Sequence, residues 1–218
     1  MLAVPGVAQA VVVTPLAGGV EIVVSVSDYI DNNVDAQSDF ATLVGVPASL
    51  AAATSAVVIN NAGGSITAQG EVYADWITAD SGVVMTRNFG WQFSGGAIGQ
   101  AVTAGGTNWY YQFYTPNAAV LDWSYNVIGY YENFGLWGFQ LYLDGNPLGA
   151  TMDPYSPTSG GTLTASLAGG QQHNLMLVNG GNIEAGGDVF GFMDGNFLWT
   201  ITGATVPEPA SWAMLIAG

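Results

Sequence analysis

The sequence contains no cysteine and no lysine, and among 218 residues it has one arginine, Arg87, and one histidine, His173. Without cysteine there is no thiolate nucleophile, no disulfide framework and no Cys-type zinc site. One guanidinium stands against 16 Asp and Glu, for a formal net charge of −15. A nucleic-acid partner is excluded on that balance, because phosphates are neutralised by Lys and Arg. Anionic lipid headgroups would repel the same surface. Cations, neutral sugars and basic partners stay compatible with it. Charged residues are only 8% of the chain, so its polar surface must come from Asn, Gln, Ser, Thr and Gly, a composition associated with secreted proteins.

Catalytic groups are equally scarce. A Ser-His-Asp triad would need His173 as its base, and no Gly-x-Ser-x-Gly elbow exists, since Ser94 follows Gln92-Phe93. Gly95-Gly-Ala-Ile-Gly99 lacks the Lys and the strand-to-helix setting of a phosphate loop. Two carboxylates can run glycoside hydrolysis, and Asp75, Asp122, Glu132 and Asp153 lie near aromatics. Any acidic chain offers such pairs. No catalytic residue is therefore assigned, and the chain is expected not to be an enzyme. No metal site is assigned either. Asp28, Asp31, Asp35 and Asp39 crowd a stretch read as an acidic surface loop, Asp28 to Phe40, without the Asp-x-Asp-x-Asp-Gly spacing of an EF-hand. Weak calcium binding is the most that this stretch suggests.

What the sequence does have is apolar and aromatic residues, 50% and 12%, and 31 glycines, about twice the ~7% share of average proteins. Their period is two. Val72, Ala74 and Trp76 alternate with Tyr73, Asp75 and Ile77. Trp109, Tyr111 and Phe113 alternate with Tyr110, Gln112 and Tyr114, and Leu121, Trp123, Tyr125 and Val127 with Asp122, Ser124, Asn126 and Ile128. The same holds around Phe139, Leu163, Leu175 and Trp199, and Val83 to Phe93 is one long strand pattern. Half-buried antiparallel strands require this alternation. Turn signals separate the runs: Asp144-Gly145, Gly160-Gly161, Gly169-Gly170, Asn179-Gly180-Gly181 and Asp194-Gly195-Asn196. The alanine-rich Pro47 to Val58 reads as an irregular segment, although propensity would allow a short helix. The pattern predicts an all-β, antiparallel two-sheet β-sandwich, jelly-roll-like.

Exposed Trp and Tyr can stack on pyranose faces. Alternation sends one ring of each pair to the core, leaving Tyr110, Tyr114, Tyr130 and Tyr131 as the outward candidates for glycan contact. The hairpin wording of Leu121 to Met152, with Asn133-Phe-Gly135 and Asp144-Gly-Asn146, resembles that of lectin-like and carbohydrate-module sandwiches.

The two ends of the sequence read as processing segments. Ala8-Gln9-Ala10 has the small-x-small form that precedes a signal-peptidase cut, so residues 1–10 are read as a signal-peptide remnant and 11–204 as the sandwich domain. Residues 205–218 include Val206-Pro207-Glu208-Pro209, then Ser211-Trp212 and Ala213-Met214-Leu215. This string closely resembles the PEP-CTERM sorting signal of exported Gram-negative proteins. The resemblance implies recognition by an exosortase, a transpeptidase-like membrane enzyme, and association with exopolysaccharide or biofilm matrix. It implies a destination at the cell surface, outer membrane or extracellular matrix. In that family the motif leads into a transmembrane helix and a basic tail. Trp212 to Ala217 is far short of the ~20 apolar residues a span needs, so membrane attachment is expected only through a helix beyond this sequence.

Overall fold

A computed structural model of the chain describes residues 11–61, 63–93, 98–131, 135–149, 158–186 and 188–204. Among the described residues there are strands and no helix. In chain order the strands are β1 (Thr14–Asp28), β2 (Asn33–Thr42), β3 (Ala48–Ile59), β4 (Ser65–Thr78), β5 (Ser81–Phe93) and β6 (Ile98–Thr115). There follow β7 (Ala119–Tyr131), β8 (Gly135–Leu143), β9 (Asn146–Leu148), β10 (Thr158–Leu167), β11 (Gln171–Gly186) and β12 (Val189–Gly203). They form two six-stranded antiparallel sheets packed as a sandwich, as the alternation predicted. Sheet I has the order β2-β1-β6-β11-β8-β9, and sheet II the order β10-β7-β12-β5-β4-β3.

From β5 to β12 the chain changes sheet at every step except the β8–β9 hairpin. The resulting interleaving, 10-7-12-5 above 9-8-11-6, is a jelly roll. β1 and β2 widen sheet I on one side, and β3 and β4 widen sheet II on the same side.

The core between the sheets is built from the predicted inward positions. Trp76, Trp109, Trp123 and Trp199 are all buried, with Trp109 central: its ring centroid lies 6.0 Å from Trp76, 5.5 Å from Trp123 and 5.9 Å from Trp199. None of the four indole Nε1 atoms meets a hydrogen-bond acceptor among the described residues. The cluster is therefore held by apolar burial and ring packing, not by polar contacts. Tyr111 completes it, and its hydroxyl donates to the Ala79 carbonyl at 2.7 Å. Gly70 lets the sheets close up beside this cluster, because a Cβ there would lie 2.3 Å from the Ile22 Cδ1 across the interface.

Several local expectations need correction. Asp28 to Phe40 is not a loop: β1 turns at residues 29–32 and returns as β2. Pro47 to Val58 is not irregular either. Its alanines occupy β3, paired along its length with β4, where small side chains fit between sheet and solvent. Asp144-Gly145 is a hairpin turn with φ of 52° and 79°, the left-handed pair such a turn demands, and Gly170 also turns at φ 77°. Gly160-Gly161, Asn179-Gly180-Gly181 and Asp194-Gly195-Asn196, however, lie inside β10, β11 and β12. Gly195 is needed there for space, since a Cβ would meet the Phe197 ring at 2.5 Å. Of these three, only Asn179/Gly181 marks an irregularity, a register shift against β6.

Candidate functional site: the outer face of sheet II

Alternation in β5, β7 and β12 is strict, but the aromatics change phase along each strand. In β12 the inward residues near one end are Phe197, Trp199 and Ile201, all buried. Toward the other end Gly191 and Met193 are buried, and Phe190 and Phe192 face outward. No register shift interrupts the pairing of β12 with β5 or β7, so the phase change lies in the sequence and not in a bulge. In β5, Asn88 and Gly90 are buried while Phe89 and Trp91 face outward. In β7, Gly129 is buried while Ile128 and Tyr130 are exposed. At this end of sheet II, the inward positions Gly90, Gly129 and Gly191 are glycine and their outward neighbours are aromatic.

The registers assemble the outward side chains into a grid. Phe89 stands opposite Phe192, and Phe192 opposite Tyr130, with Gln69 of β4 beside Phe89. Trp91 stands opposite Phe190. The rings touch: Phe192 lies 6.4 Å from Phe89, 6.3 Å from Tyr130 and 5.8 Å from Phe190, and the Tyr130 and Phe192 planes are 28° apart. Tyr130 is 44% and Phe190 37% exposed. One step of ~6.6 Å further along the strands, the same face turns polar. Arg87 sits between Glu71 of β4 and Asp194 of β12, and beyond it come Tyr73, Met85 and Asn196. These residues line an open groove of about 340 Å³ together with Ala51 and Ala53. Arg87 Nε is 3.5 Å from Asp194 Oδ1, an ion-pair separation that does not amount to a hydrogen bond. Both partners are solvated, so the pair contributes little to stability.

The four tyrosines singled out from the sequence do not form one site. Tyr130 belongs to the aromatic grid. Tyr110 and Tyr114 are on β6, in the other sheet; Tyr110 is half-buried and Tyr114 exposed. Tyr110 lies close over the backbone, where a Cβ on Gly19 would meet its ring at 2.8 Å. Tyr131 ends β7, but its side chain lies outside the described residues, as do Val206, Pro207, Glu208, Pro209, Ser211 and Trp212. Sequence reasoning missed Phe89, Trp91, Phe190 and Phe192. The signal was present: Phe190-Gly191-Phe192 has its rings out of phase with Phe197 and Trp199 on one strand.

The acidic stretch is also arranged differently from the calcium reading. Asp31, Asp35 and Asp39 are spread along one edge, each turned to a different backbone amide: Asn61 at 2.9 Å, Val57 at 3.0 Å and Ala53 at 3.0 Å. Asp28 is buried and accepts the Ile30 N–H at 2.9 Å. Four-residue steps on a strand are ~13 Å, too far for these carboxylates to share one ion. Among the described residues no group of three or more acids or histidines is placed to hold a metal.

His173 is buried and committed. Its Nδ1 is 2.9 Å from Asp144 Oδ2 and its Nε2 is 3.0 Å from the Ala168 carbonyl, while Asp144 Oδ1 accepts the Asn174 N–H. It anchors the β8–β9 turn to β11. Of the candidate glycosidase acids, Asp75 accepts the Ser49 hydroxyl and Asp122 the Thr164 hydroxyl. β4 and β7 are three strands apart in sheet II, about 14 Å, beyond the separation that either glycosidase geometry uses. Glu132 and Asp153 lie outside the described residues.

No protein-family model and no curated protein matches the chain. Among solved structures, the GH31 alpha-xylosidase from Xanthomonas citri aligns over 91% of this chain and 28% of its own, at 8% identity and a TM-score of 0.23. The chain thus spans less than a third of that enzyme's length, and a likeness so slight carries no argument.

Proposed function

We propose that this is an exported, non-catalytic protein of the bacterial cell surface or extracellular matrix, and that it holds polysaccharide on the outer face of sheet II. The inverted phase of β5, β7 and β12 carries this reading. Burying Phe89, Phe190, Phe192 and Tyr130 would stabilise the fold by roughly 1.5–3 kcal/mol per ring; the sequence instead puts glycine inside and aromatics in water. A contiguous exposed aromatic patch is the mark of a binding surface. Next to it stand Gln69, Glu71, Arg87, Asp194 and Asn196. Aromatic faces for the apolar side of a pyranose, with planar polar groups for its hydroxyls, are the two things a sugar ring offers contacts for.

The charge narrows the ligand. With a net charge of −15 and its one guanidinium already between two carboxylates, the face suits neutral sugars and repels uronate or sulfated polymers. Glu71 and Asp194 are the carboxylate pair lining the groove, but a general acid needs desolvation, and Glu71 is exposed and Asp194 half-exposed. Export and sorting rest on the likeness of Val206 to Leu215 to the PEP-CTERM signal, with an exosortase-type transpeptidase as the partner.

Affinity electrophoresis through gels containing neutral or acidic polysaccharides tests the ligand. Retardation by a neutral polymer, lost in Phe190→Ala/Phe192→Ala, supports the reading. Retardation by acidic polymers alone, or hydrolysis that stops in Glu71→Gln, contradicts it. Replacing Pro207-Glu208-Pro209 by alanines in the complete gene should block surface delivery; unchanged delivery would remove the sorting part alone.

A further inference from the structure

Away from the aromatic face, the two sheets meet in a seam at one side of the sandwich. β3 is an edge strand of sheet II and β2 an edge strand of sheet I. An edge strand presents a row of unpaired amides and invites pairing with another chain; proteins usually blunt it with charged residues on that strand. β3, Ala48 to Ile59, has no charged residue and no proline, and exposes Val57 and Ile59 at 51% and 68%. Such a strand is a template for association.

The acids come from β2 and the turn before it. Asp31 accepts the Asn61 N–H, Asp35 that of Val57 and Asp39 that of Ala53. The acceptors advance by four while the donors fall by four, so β2 lies antiparallel to β3 in constant register, bridged by side chains in place of a backbone ladder. Asp35 and Asp39 stand opposite Val26 and Ile22 of β1, whose side chains are buried, and therefore share the inward face of sheet I. Inward-pointing charge at a sheet edge is a known guard against edge pairing. Here it also takes up amides of the opposite sheet.

We infer that these three aspartates are a lock on the β3 edge, and that a second copy of this chain pairs along β3 when the lock is removed. The second copy is the fitting occupant because two uncharged β3 strands meet antiparallel with no like charges opposed and with Val57 and Ile59 adding apolar contact. The inference is independent of the polysaccharide reading.

The test uses the whole chain at neutral pH. Asp31→Ala, Asp35→Ala and Asp39→Ala together should give concentration-dependent association by light scattering, with a β-type circular dichroism spectrum retained. A variant with equal charge loss elsewhere, Glu21→Ala/Asp75→Ala/Asp122→Ala, should keep the mass of the unsubstituted protein. Adding Val57→Lys to the triple variant should reverse the association. A folded triple variant of unchanged mass overturns the inference, as does association that Val57→Lys leaves intact. Should the triple variant not fold, amide exchange decides. In the unsubstituted chain Val57 should exchange roughly tenfold more slowly than Ser55, and Asp35→Ala should abolish that difference; equal rates in the unsubstituted chain would overturn the lock.

Discussion

Two aromatic clusters sit on the two faces of sheet II, one residue out of phase with each other. Trp76, Trp123 and Trp199 face inward around Trp109 of the opposite sheet, while Phe89, Phe190, Phe192 and Tyr130 face water. β12 contributes to both, with Phe197 and Trp199 in and Phe190 and Phe192 out. The same residue types thus serve the fold at one end of a strand and a surface at the other. What separates them is parity alone, because a strand turns successive side chains to opposite faces. Stability accounts for the first cluster and argues against the second, so the second calls for a partner.

The largest effect should come from the inner cluster. Trp109→Ala empties the centre of the ring packing and should cost about 3–5 kcal/mol, read as a lower denaturant midpoint at unchanged slope. Near-wild-type stability would mean that the cluster is not the keystone of the core. Gly70→Ala sharpens the same side: its Cβ has no room against Ile22 and should cost about 1–3 kcal/mol.

Titration divides the molecule further. Burial, and after it the charge of Asp80, pushes the Tyr111 phenol well above its ordinary value of 10. A phenol is neutral when protonated, so this contribution is intact below pH ~10 and is lost as pH rises beyond it; Tyr111→Phe should delay alkaline unfolding. At the seam the opposite sign holds. The Val57 N–H, then the Gln37 amide, hold the Asp35 carboxyl below its ordinary value. Its contribution is present above pH ~4 and is lost as pH falls through the lowered value, so Asp35→Ala should flatten the acid limb of the stability curve.

The outer cluster should respond least in stability. Tyr130→Ala or Phe192→Ala should change unfolding free energy by about 0.5 kcal/mol or less, within the range of surface substitutions, yet weaken polysaccharide binding about tenfold, ~1.4 kcal/mol.

Most of the sandwich was legible in the sequence because alternation is a local property: Val72-Ala74-Trp76 and Trp109-Tyr111-Phe113 identify their own inward faces. The errors were of one kind. Asp194-Gly195-Asn196 looked like a turn, but Gly195 is there because Phe197 and Thr86 leave no space for a Cβ, a reason that exists only once strands pair. The Asp31, Asp35 and Asp39 stretch looked like a loop because its carboxylates serve amides 14 to 30 residues away. The grid on sheet II draws on strands far apart in the chain, so no single segment could display it. Tyr130 was found as one outward ring; its neighbours Phe89 and Phe192 needed the register.

The most direct test of the account is a calorimetric titration with a neutral polysaccharide that retards the protein, run on the unsubstituted chain and on Phe190→Ala/Phe192→Ala in parallel with their unfolding curves. The account predicts binding lost by at least about tenfold with stability unchanged or raised, since two solvated rings leave the surface. Equal binding in both proteins, or a loss of stability matching the loss of binding, would contradict it and return those rings to the fold.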